Sequence, residues 1–180
     1  MNEGLIPRRY AKALYAVAKE HGVDAKVYDC MNTMERNFAA QPQLKQVMAN
    51  PYVGDADKIS LLTTAADAAK MPVLLDFFKL LAQNKRLDIA LACALAFTDI
   101  YRKMHNIYKV NVVSAYRMNP DEEKRLRALI ERHLKGGSME YTASVDPSLI
   151  GGFTVSVGNE LLDASISNEL KQLRLNLLSK

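Results

Sequence analysis

Apolar residues recur every three to four positions through the first 105 residues, which is the spacing of one face of an α-helix. A first helix opens around Pro7 and stops at Gly22, because proline suits an opening turn and glycine readily takes left-handed backbone. Five further helices follow, separated by turn signals such as Asn50-Pro51, and we expect an up-and-down bundle of six helices. The second is predicted from Asp24 through Phe38, and the third is a short segment with Leu44 and Val47 that ends before Asn50. The fourth runs from Asp55 through Ala66, the fifth from Pro72 through Leu81, and the sixth from about Asp88 to Met104.

The fifth of these helices, which begins at Pro72, is apolar around more of its circumference than one buried stripe requires. It therefore needs cover on two sides, which the interior of the bundle or a partner could supply. Its large apolar residues are Val73, Leu74, Leu75, Phe77, Phe78, Leu80 and Leu81. The sixth helix is predicted to carry an inward stripe made of Leu91, Ala94, Leu95, Thr98 and Tyr101.

From Asn106 onward the apolar period changes to two, which is typical of half-buried strands. The strands predicted are Tyr108–Val112, Met139–Val145, Phe153–Val157 and a short return strand Leu161–Asp163 after a Gly158-Asn159 hairpin turn. A helix from Pro120 to about Leu134 separates the first two strands, and a last helix carries Ile166, Leu170, Leu173 and Leu177. We therefore predict an all-α domain over residues 1–105 and a small α+β domain over residues 106–180.

The composition is that of a folded globular protein, with 49% hydrophobic and 24% charged residues. No apolar run approaches the roughly 20 residues that a membrane-spanning helix needs. The first residues also lack the apolar core of a signal peptide. We therefore expect a cytosolic protein that associates with a membrane only through partners.

The charge pattern gives little support for binding to nucleic acid. The net charge is +4, and the acidic residues are interspersed with the basic ones. The most basic stretch, Lys124–Lys135, follows three acidic residues and has no interleaved aromatic residue for base stacking, which favours a solvated face. A nucleic-acid-binding adaptor nevertheless stays open as the alternative function.

No group of residues has the spacing of a catalytic, cofactor or metal site. His21, His105 and His133 each fall near a helix end, where a histidine interacts well with the helix dipole. The glycines at 151, 152 and 158 flank a strand, whereas a phosphate-binding loop precedes a helix. Cys30 and Cys93 are far apart among apolar neighbours and are expected to be buried free thiols. We expect no catalytic residue, no cofactor and no metal.

Three segments, in this order and spacing, carry a resemblance that covers essentially the whole chain. They are Arg9–Leu14, Phe77–Leu87 and Asp146–Phe153, the last followed by Gly158-Asn159, Asp163 and Ser165. Together they resemble the delta subunit family of bacterial and chloroplast F-type ATP synthases, known in mitochondria as the oligomycin-sensitivity-conferring protein. The family resemblance implies a non-catalytic stator, which joins the alpha subunits of the catalytic head to the b subunits of the peripheral stalk.

The resemblance also implies where the partners bind. In the family, the N-terminal helix of an alpha subunit lies in a groove between the first and fifth helices, and the C-terminal domain meets the b subunits. One copy per complex is implied, peripheral to the cytoplasmic face of a bacterial inner membrane. Family motifs place Tyr10, Ala11, Leu14, Leu80, Leu81 and Asn84 at the groove, and the excess apolar surface of the two helices adds Tyr15 and Phe77.

Overall fold

A computed structural model describes residues 4–134, 136–158 and 160–178, with side chains described as far as residue 175. The described residues form eight α-helices and a four-stranded mixed sheet near the C-terminus. The chain divides into two compact units, Met1–Arg102 and Lys103–Lys180. The predicted domain boundary, between His105 and Asn106, lies just after the point where the two units divide.

The helical unit contains the helices α1 to α6 and a short 3₁₀ turn. Three of its helices end in the same way, with a residue in left-handed conformation and a backbone hydrogen bond closing the last turn. Gly22 does this after α1, as predicted, whereas Asp67 and Lys85 do it after α4 and α5 despite having side chains. The helix bounds are α1 Leu5–Glu20, α2 Asp24–Ala40, α3 Gln43–Ala49, α4 Asp55–Ala65, α5 Pro72–Gln83, the 3₁₀ turn Leu87–Ile89 and α6 Ala90–Met104.

The core of the helical unit is built from large apolar and aromatic side chains. Tyr15 lies 6.0 Å from Phe97 and 6.5 Å from Tyr101, and Tyr101 stacks on Tyr28 at 4.2 Å, measured between ring centroids. Such aromatic pairs add to the free energy of burial. The largest fully buried side chains are Phe78, Phe97, Met31, Met34, Leu62, Leu74, Leu81 and Val27.

The predicted inward stripe of α6 was wrong at Leu95, which is 42% exposed. Phe97 is fully buried instead, because the stripe that faces the core follows Ala90, Ala94, Phe97 and Tyr101. The cysteine prediction holds fully for Cys93, which is buried and free, and partly for Cys30, which is free but only half-buried.

The second unit pairs its sheet with one covering helix. The strands lie in the order β2-β1-β3-β4; β1 runs parallel to β2 and antiparallel to β3, and β3 and β4 form a hairpin. The parallel pair requires a crossover, which α7 provides. The bounds are β1 Ile107–Ser114, α7 Pro120–His133, β2 Ser138–Val145, a 3₁₀ turn Pro147–Leu149, β3 Gly152–Val157, β4 Glu160–Ser165 and α8 Ile166–Leu178.

Helix α7 is fixed at its start by a reciprocal pair of hydrogen bonds. The Glu122 backbone N–H donates to the Asn119 side-chain oxygen at 2.8 Å, and the Asn119 backbone N–H donates to the Glu122 carboxylate at 3.0 Å. This capping box satisfies two backbone N–H groups that the first turn leaves without helical partners. The apolar side of α7 then meets β1 and β3 in a small core of Val110, Val112, Ile130, Leu134 and Val155.

The prediction of a half-buried strand was right for only the first half of β2. Met139 and Tyr141 are partly buried, but the strand is exposed from Thr142 to Val145, since it lies at an edge of the sheet. The return strand β4 is longer than predicted. At the hairpin, Gly158 has a φ of +58°, which confirms its predicted positive angle, whereas Asn159 lies outside the described residues.

Candidate partner-binding groove

An open apolar groove runs along the helical unit between α1 and α5. Its volume is about 770 Å³, which is within the range of ligand sites in proteins. One wall is formed by Tyr10, Ala13, Leu14 and Val17 of α1. The other wall is formed by Val73, Phe77 and Leu80 of α5, together with the polar residues Asp76, Lys79 and Gln83. Groove residues recur three or four apart on each helix, so each helix presents one continuous stripe.

The stripe on α5 reaches the surface because the core takes up only part of the helix. Leu74, Phe78 and Leu81 are fully buried, whereas Leu80 is 44% exposed on the groove. This explains the nearly all-round apolar sequence of α5, since one side belongs to the core and the other to the groove. Half-exposed leucine on a concave surface is typical of a site that another apolar surface covers.

The two ends of the groove are set by the turns that close α1 and α5. After α1, the left-handed Gly22 places His21 and Val23 at one end, opposite Pro72. The His21 Nδ1 donates a hydrogen bond to the Val17 carbonyl oxygen at 2.8 Å. This end is therefore built from the last turn of α1 and the first turn of α5.

At the other end, Tyr10 joins the two walls. Its ring packs edge-on against Phe77, with 6.4 Å between the ring centroids. The Arg86 Nη1 donates a hydrogen bond to the Tyr10 hydroxyl at 3.2 Å, and the guanidinium lies 5.9 Å from the Tyr10 ring centroid. Arg86 follows the left-handed Lys85, and its backbone N–H closes the last turn of α5 on the Leu81 carbonyl oxygen at 2.8 Å.

The charged residues of the groove lining neutralise each other. The Lys79 ammonium lies 3.1 Å from the Asp76 carboxylate, one helical turn away on the rim formed by α5. Both side chains are largely exposed, so the pair contributes about 0 to 1 kcal/mol to stability. Binding in the groove must therefore come mainly from apolar contact.

Four of the eight predicted site residues lie together in the groove lining, namely Tyr10, Leu14, Phe77 and Leu80. Three others, Ala11, Tyr15 and Leu81, are buried in the core behind it. Asn84 is exposed just past the groove and caps α5, since its side-chain nitrogen donates to the Leu80 carbonyl oxygen at 2.8 Å. The three buried residues support the walls from behind. Leu14 and Phe77 of the lining are themselves nearly buried, whereas Leu80 is half-exposed.

Sequence reasoning missed part of the groove. Ala13 and Val17 belong to the predicted stripe of α1, and Val73 to the apolar surface of α5, so their spacing could have assigned them. His21 and Val23 gave no such signal, because only the turn at Gly22 brings them to the end of the groove.

A second exposed apolar surface lies on the α+β unit. Its continuous part is one stripe of α8, whose spacing of three and four residues puts Ile166, Leu170 and Leu173 on one side of the helix. We call this stripe the α8 face. Ile150, Leu161, Leu162 and Leu175 are exposed as well, but the adjacent Leu161 and Leu162 point to opposite sides of the sheet. The stripe predicted for the last helix is thus present but exposed, and the side chain of its last member, Leu177, lies outside the described part of the chain.

Comparisons with known proteins agree over the whole length of the chain. The family model for the ATP synthase delta (OSCP) subunit matches residues 6–177. ATP synthase subunit delta of Bacteroides thetaiotaomicron is 32% identical over 100% of this chain and 97% of its own length. ATP synthase subunit delta of Parabacteroides distasonis is also 32% identical, over 99% of this chain and 98% of its own length.

The chain belongs to the ATP synthase delta (OSCP) subunit family. This confirms the resemblance indicated by the sequence. A chain in the structure of the Toxoplasma gondii mitochondrial ATP synthase hexamer has the same fold, with a TM-score of 0.76 and 23% identity over 96% of this chain and 97% of that one.

The OSCP family consists of structural subunits, and the chain is accordingly non-catalytic. Within residues 4–134, 136–158 and 160–178, no three His, Cys, Asp or Glu side chains come together as a metal site. No helix in that part of the chain is long and apolar enough to cross a membrane.

Proposed function

We propose that this chain is a stator connector of F-type ATP synthase, which joins the alpha subunits of the catalytic head to the b subunits of the peripheral stalk. A rotor turning inside the head exerts a reaction torque, and the head would spin unless a fixed element held it. The connector transmits this force and catalyses no reaction. It acts as one copy per complex, at the cytoplasmic face of a bacterial inner membrane.

The observation that carries the proposal is the apolar groove between α1 and α5. The wall formed by α5 is 12 residues long, which corresponds to about 18 Å or three helical turns. An amphipathic helix of that length could lay its apolar face along Leu14, Phe77 and Leu80. We infer that the occupant is the N-terminal helix of an alpha subunit, and that α1–α6 form one bundle over residues 1–105 that presents this groove.

The stalk would be bound by residues 106–180, through the α8 face. Exposed leucines on β4 and α8 provide apolar surface that the small core of this unit leaves uncovered. The b subunits would cover that surface. Two separate sites, one on each unit, are what a connector under load requires, because each partner then binds without displacing the other.

The groove proposal is tested by titrating a peptide from the alpha-subunit N-terminus into the wild-type chain and into Leu80→Asp. The substitution places a charge against the apolar face of the bound helix, and we expect affinity to fall at least about a hundredfold. Leu95→Asp on α6 is the matched control, since Leu95 is 42% exposed and Leu80 44% exposed, yet Leu95 lies outside the groove lining. Circular dichroism must show that both variants remain folded.

Two results would reject the groove. The first is a wild-type chain that binds no such peptide, and the second is a folded Leu80→Asp variant that binds as tightly as Leu95→Asp. The nucleic-acid alternative predicts instead a steep loss of binding to nucleic acid between about 50 and 200 mM salt. Its basic helix gives it little support, because Arg127 is paired with Glu123 at 2.7 Å and lies over the Tyr141 ring.

A further inference from the structure

The two edges of the sheet in the α+β unit differ in how well they are protected against pairing with another strand. In the described part of the chain, β2 pairs only with β1, and β4 only with β3. Edge strands are usually protected by charged residues, prolines or bulges. β4 has two acidic residues among its six, Glu160 and Asp163. β2 has an unbroken register of eight residues with β1, no proline, and no charged residue from Tyr141 to Val145.

The hydrogen bonds between β2 and β1 show which backbone groups of β2 are left at the edge. The Ser138 N–H donates to the Asn106 carbonyl oxygen at 3.1 Å, and the Asp146 N–H donates to the Ser114 carbonyl oxygen at 2.8 Å. Since the register between these two bonds is unbroken, the even-numbered residues of β2 bond to β1, and the odd-numbered residues direct their N–H and C=O groups outward. The residues with outward backbone groups are Met139, Tyr141, Ala143 and Val145.

We propose that the free chain pairs with a second copy of itself through β2, in a two-fold antiparallel ladder centred on Thr142. In this register Tyr141 lies opposite Ala143 of the second copy, and Met139 lies opposite Val145 of the second copy. Each of these pairs exchanges two hydrogen bonds, so all the outward N–H and C=O groups of both strands are satisfied. Val145, which is 51% exposed, is covered by Met139 of the second copy.

The side chains of β2 favour a second copy in this register. Glu140 faces Ser144 of the second copy, and the two Thr142 side chains face each other across the axis, which is a stabilising cross-strand pair. A ladder centred on Ala143 would instead oppose Glu140 and Asp146, and one centred on Glu140 would oppose two carboxylates of the same residue, so both bring like charges together. The strand is thus complementary to itself, which a two-fold interface requires.

This inference goes beyond the proposed function and does not depend on the groove between α1 and α5. The proposed connector acts as one copy per complex, so the pair is a form of the chain outside the complex. Because an edge-to-edge ladder buries little surface, we expect a weak pair, with half of the chains paired between about 10 μM and 1 mM.

Sedimentation equilibrium of the full chain over that range of concentration tests the pairing. The average mass of the wild type should rise from that of one chain towards that of two. Ala143→Pro should remain a single chain, because it removes an outward N–H without breaking a bond to β1. Leu161→Lys on β4 is the control at the other edge, where Leu161 is 68% exposed, and this variant should still pair.

Three results would overturn the proposal. They are a wild-type chain that stays single throughout, a folded Ala143→Pro variant that pairs as the wild type does, and a loss of pairing in Leu161→Lys, which would place the contact on β4. Circular dichroism shows whether each variant is folded.

Disulfide cross-linking tests the register without relying on a proline. Thr142→Cys places two thiols opposite each other at a non-hydrogen-bonded pair, where the Cα atoms lie about 4.5 Å apart, within the range of a disulfide. Ser144→Cys is the matched control, since both positions are exposed on the same side of β2. In the proposed ladder the two copies of residue 144 lie about 13 Å apart along the strands, too far for a disulfide.

Under mild oxidation, Thr142→Cys should link two chains about tenfold or more faster than Ser144→Cys, because only its thiols are held together. Mass spectrometry locates the link at the substituted position and distinguishes it from links through Cys30 or Cys93. Equal rates in the two variants, or faster linking in Ser144→Cys, would contradict the ladder centred on Thr142.

Discussion

In the helical unit, the exposed apolar residues Val17 and Leu80 line a concave groove between α1 and α5, while others such as Tyr52 and Leu95 lie outside it; in the α+β unit, exposed apolar residues lie on β4 and α8. The helical unit buries Phe78, Phe97, Met31 and other large side chains completely. Among the described residues of the α+β unit, the core cluster has five buried members, the largest of them leucine and isoleucine, with partly buried residues such as Tyr141 and Phe153 packed against it. A large core can support a preformed groove, while a small core leaves apolar residues at the surface.

If both surfaces bind partners as proposed, this contrast predicts two different ways of binding. The groove exists before its occupant arrives, since its walls are fixed by Leu81 and Tyr15 from behind and by the Tyr10–Phe77 contact across it. The α8 face has no such support from a second wall. A partner that binds only the folded form adds to stability, and this gain counts for more where the core is small. At equal affinity and concentration of the partner the gain in free energy is the same for both units, so it makes up a larger fraction of the stability of the α+β unit.

The largest effect on stability is expected from substituting the two adjacent leucines of α5, because Leu81 lies in the core and Leu80 in the wall of the groove. Leu81→Ala should lower the free energy of unfolding of the helical unit by about 2 to 5 kcal/mol, because Leu81 is fully buried and its loss leaves a cavity. Leu80→Ala should cost less than about 1 kcal/mol, since Leu80 is half-exposed, but should weaken peptide binding.

The free energy of unfolding of the helical unit alone can be measured through its thiols, because both cysteines of the chain, Cys30 and Cys93, lie in that unit. Burial raises the pKa of the Cys93 thiol to about 12, so the reactive thiolate is scarce until the unit opens. Alkylation of Cys93 in a denaturant series, located by mass spectrometry, then reports unfolding. Equal stability losses for the two leucine variants would contradict the division between wall and core.

The next effect concerns the hairpin of the α+β unit. Gly152 has a φ of +76°, and a Cβ there would collide with the Ala164 carbonyl oxygen on β4. Gly152→Ala should destabilise this unit by more than about 2 kcal/mol, because left-handed strain adds to a clash with backbone. Gly158→Ala is the matched control. It shares the positive φ but meets open space, and should cost about 1 kcal/mol.

Amide hydrogen exchange in β3 and β4 measures the effect on the hairpin, and Cys93 alkylation shows whether the helical unit is affected. Faster exchange in the hairpin with unchanged alkylation is the expected result. Similar exchange in both glycine variants would mean that β4 moves aside without cost. Faster alkylation of Cys93 in Gly152→Ala would contradict independent stability of the two units.

The sequence predicted elements better than it predicted surfaces. Helical spacing and the proline and glycine signals placed α1 to α8 and β1 to β4 within a few residues, because these signals are local. Leu95 was assigned to the inward side of α6 and Phe97 was left out of it, since both are apolar and only the neighbouring aromatic residues Tyr15 and Tyr101 decide which one is buried. Tyr15 was expected to line the groove, but it is buried, because its ring packs against Phe97 and Tyr101.

The groove was foreseen from α1 and α5, but its ends were not. Arg86 enters the site through a left-handed Lys85, a conformation that residues other than glycine seldom adopt and that sequence does not signal. Likewise, the alternation in β2 predicted burial along the whole strand, while its edge position leaves Val145 exposed. Which strand ends at an edge depends on the order of strands in the sheet.

The smallest effect on stability is expected on the α8 face. Leu173 is 58% exposed, so Leu173→Ser removes little buried surface and should change the free energy of unfolding by less than about 0.5 kcal/mol. Leu134→Ser in the core of the same unit is the control, and should cost several times more, because Leu134 is buried against Val110 and its neighbours. If the b subunits cover this face, Leu173→Ser should nevertheless weaken their binding several-fold, measured by titrating the carboxyl-terminal part of a b subunit into the full chain. A loss of stability in Leu173→Ser equal to that in Leu134→Ser would show that α8 belongs to the core, and unchanged binding of the b fragment would place the stalk elsewhere.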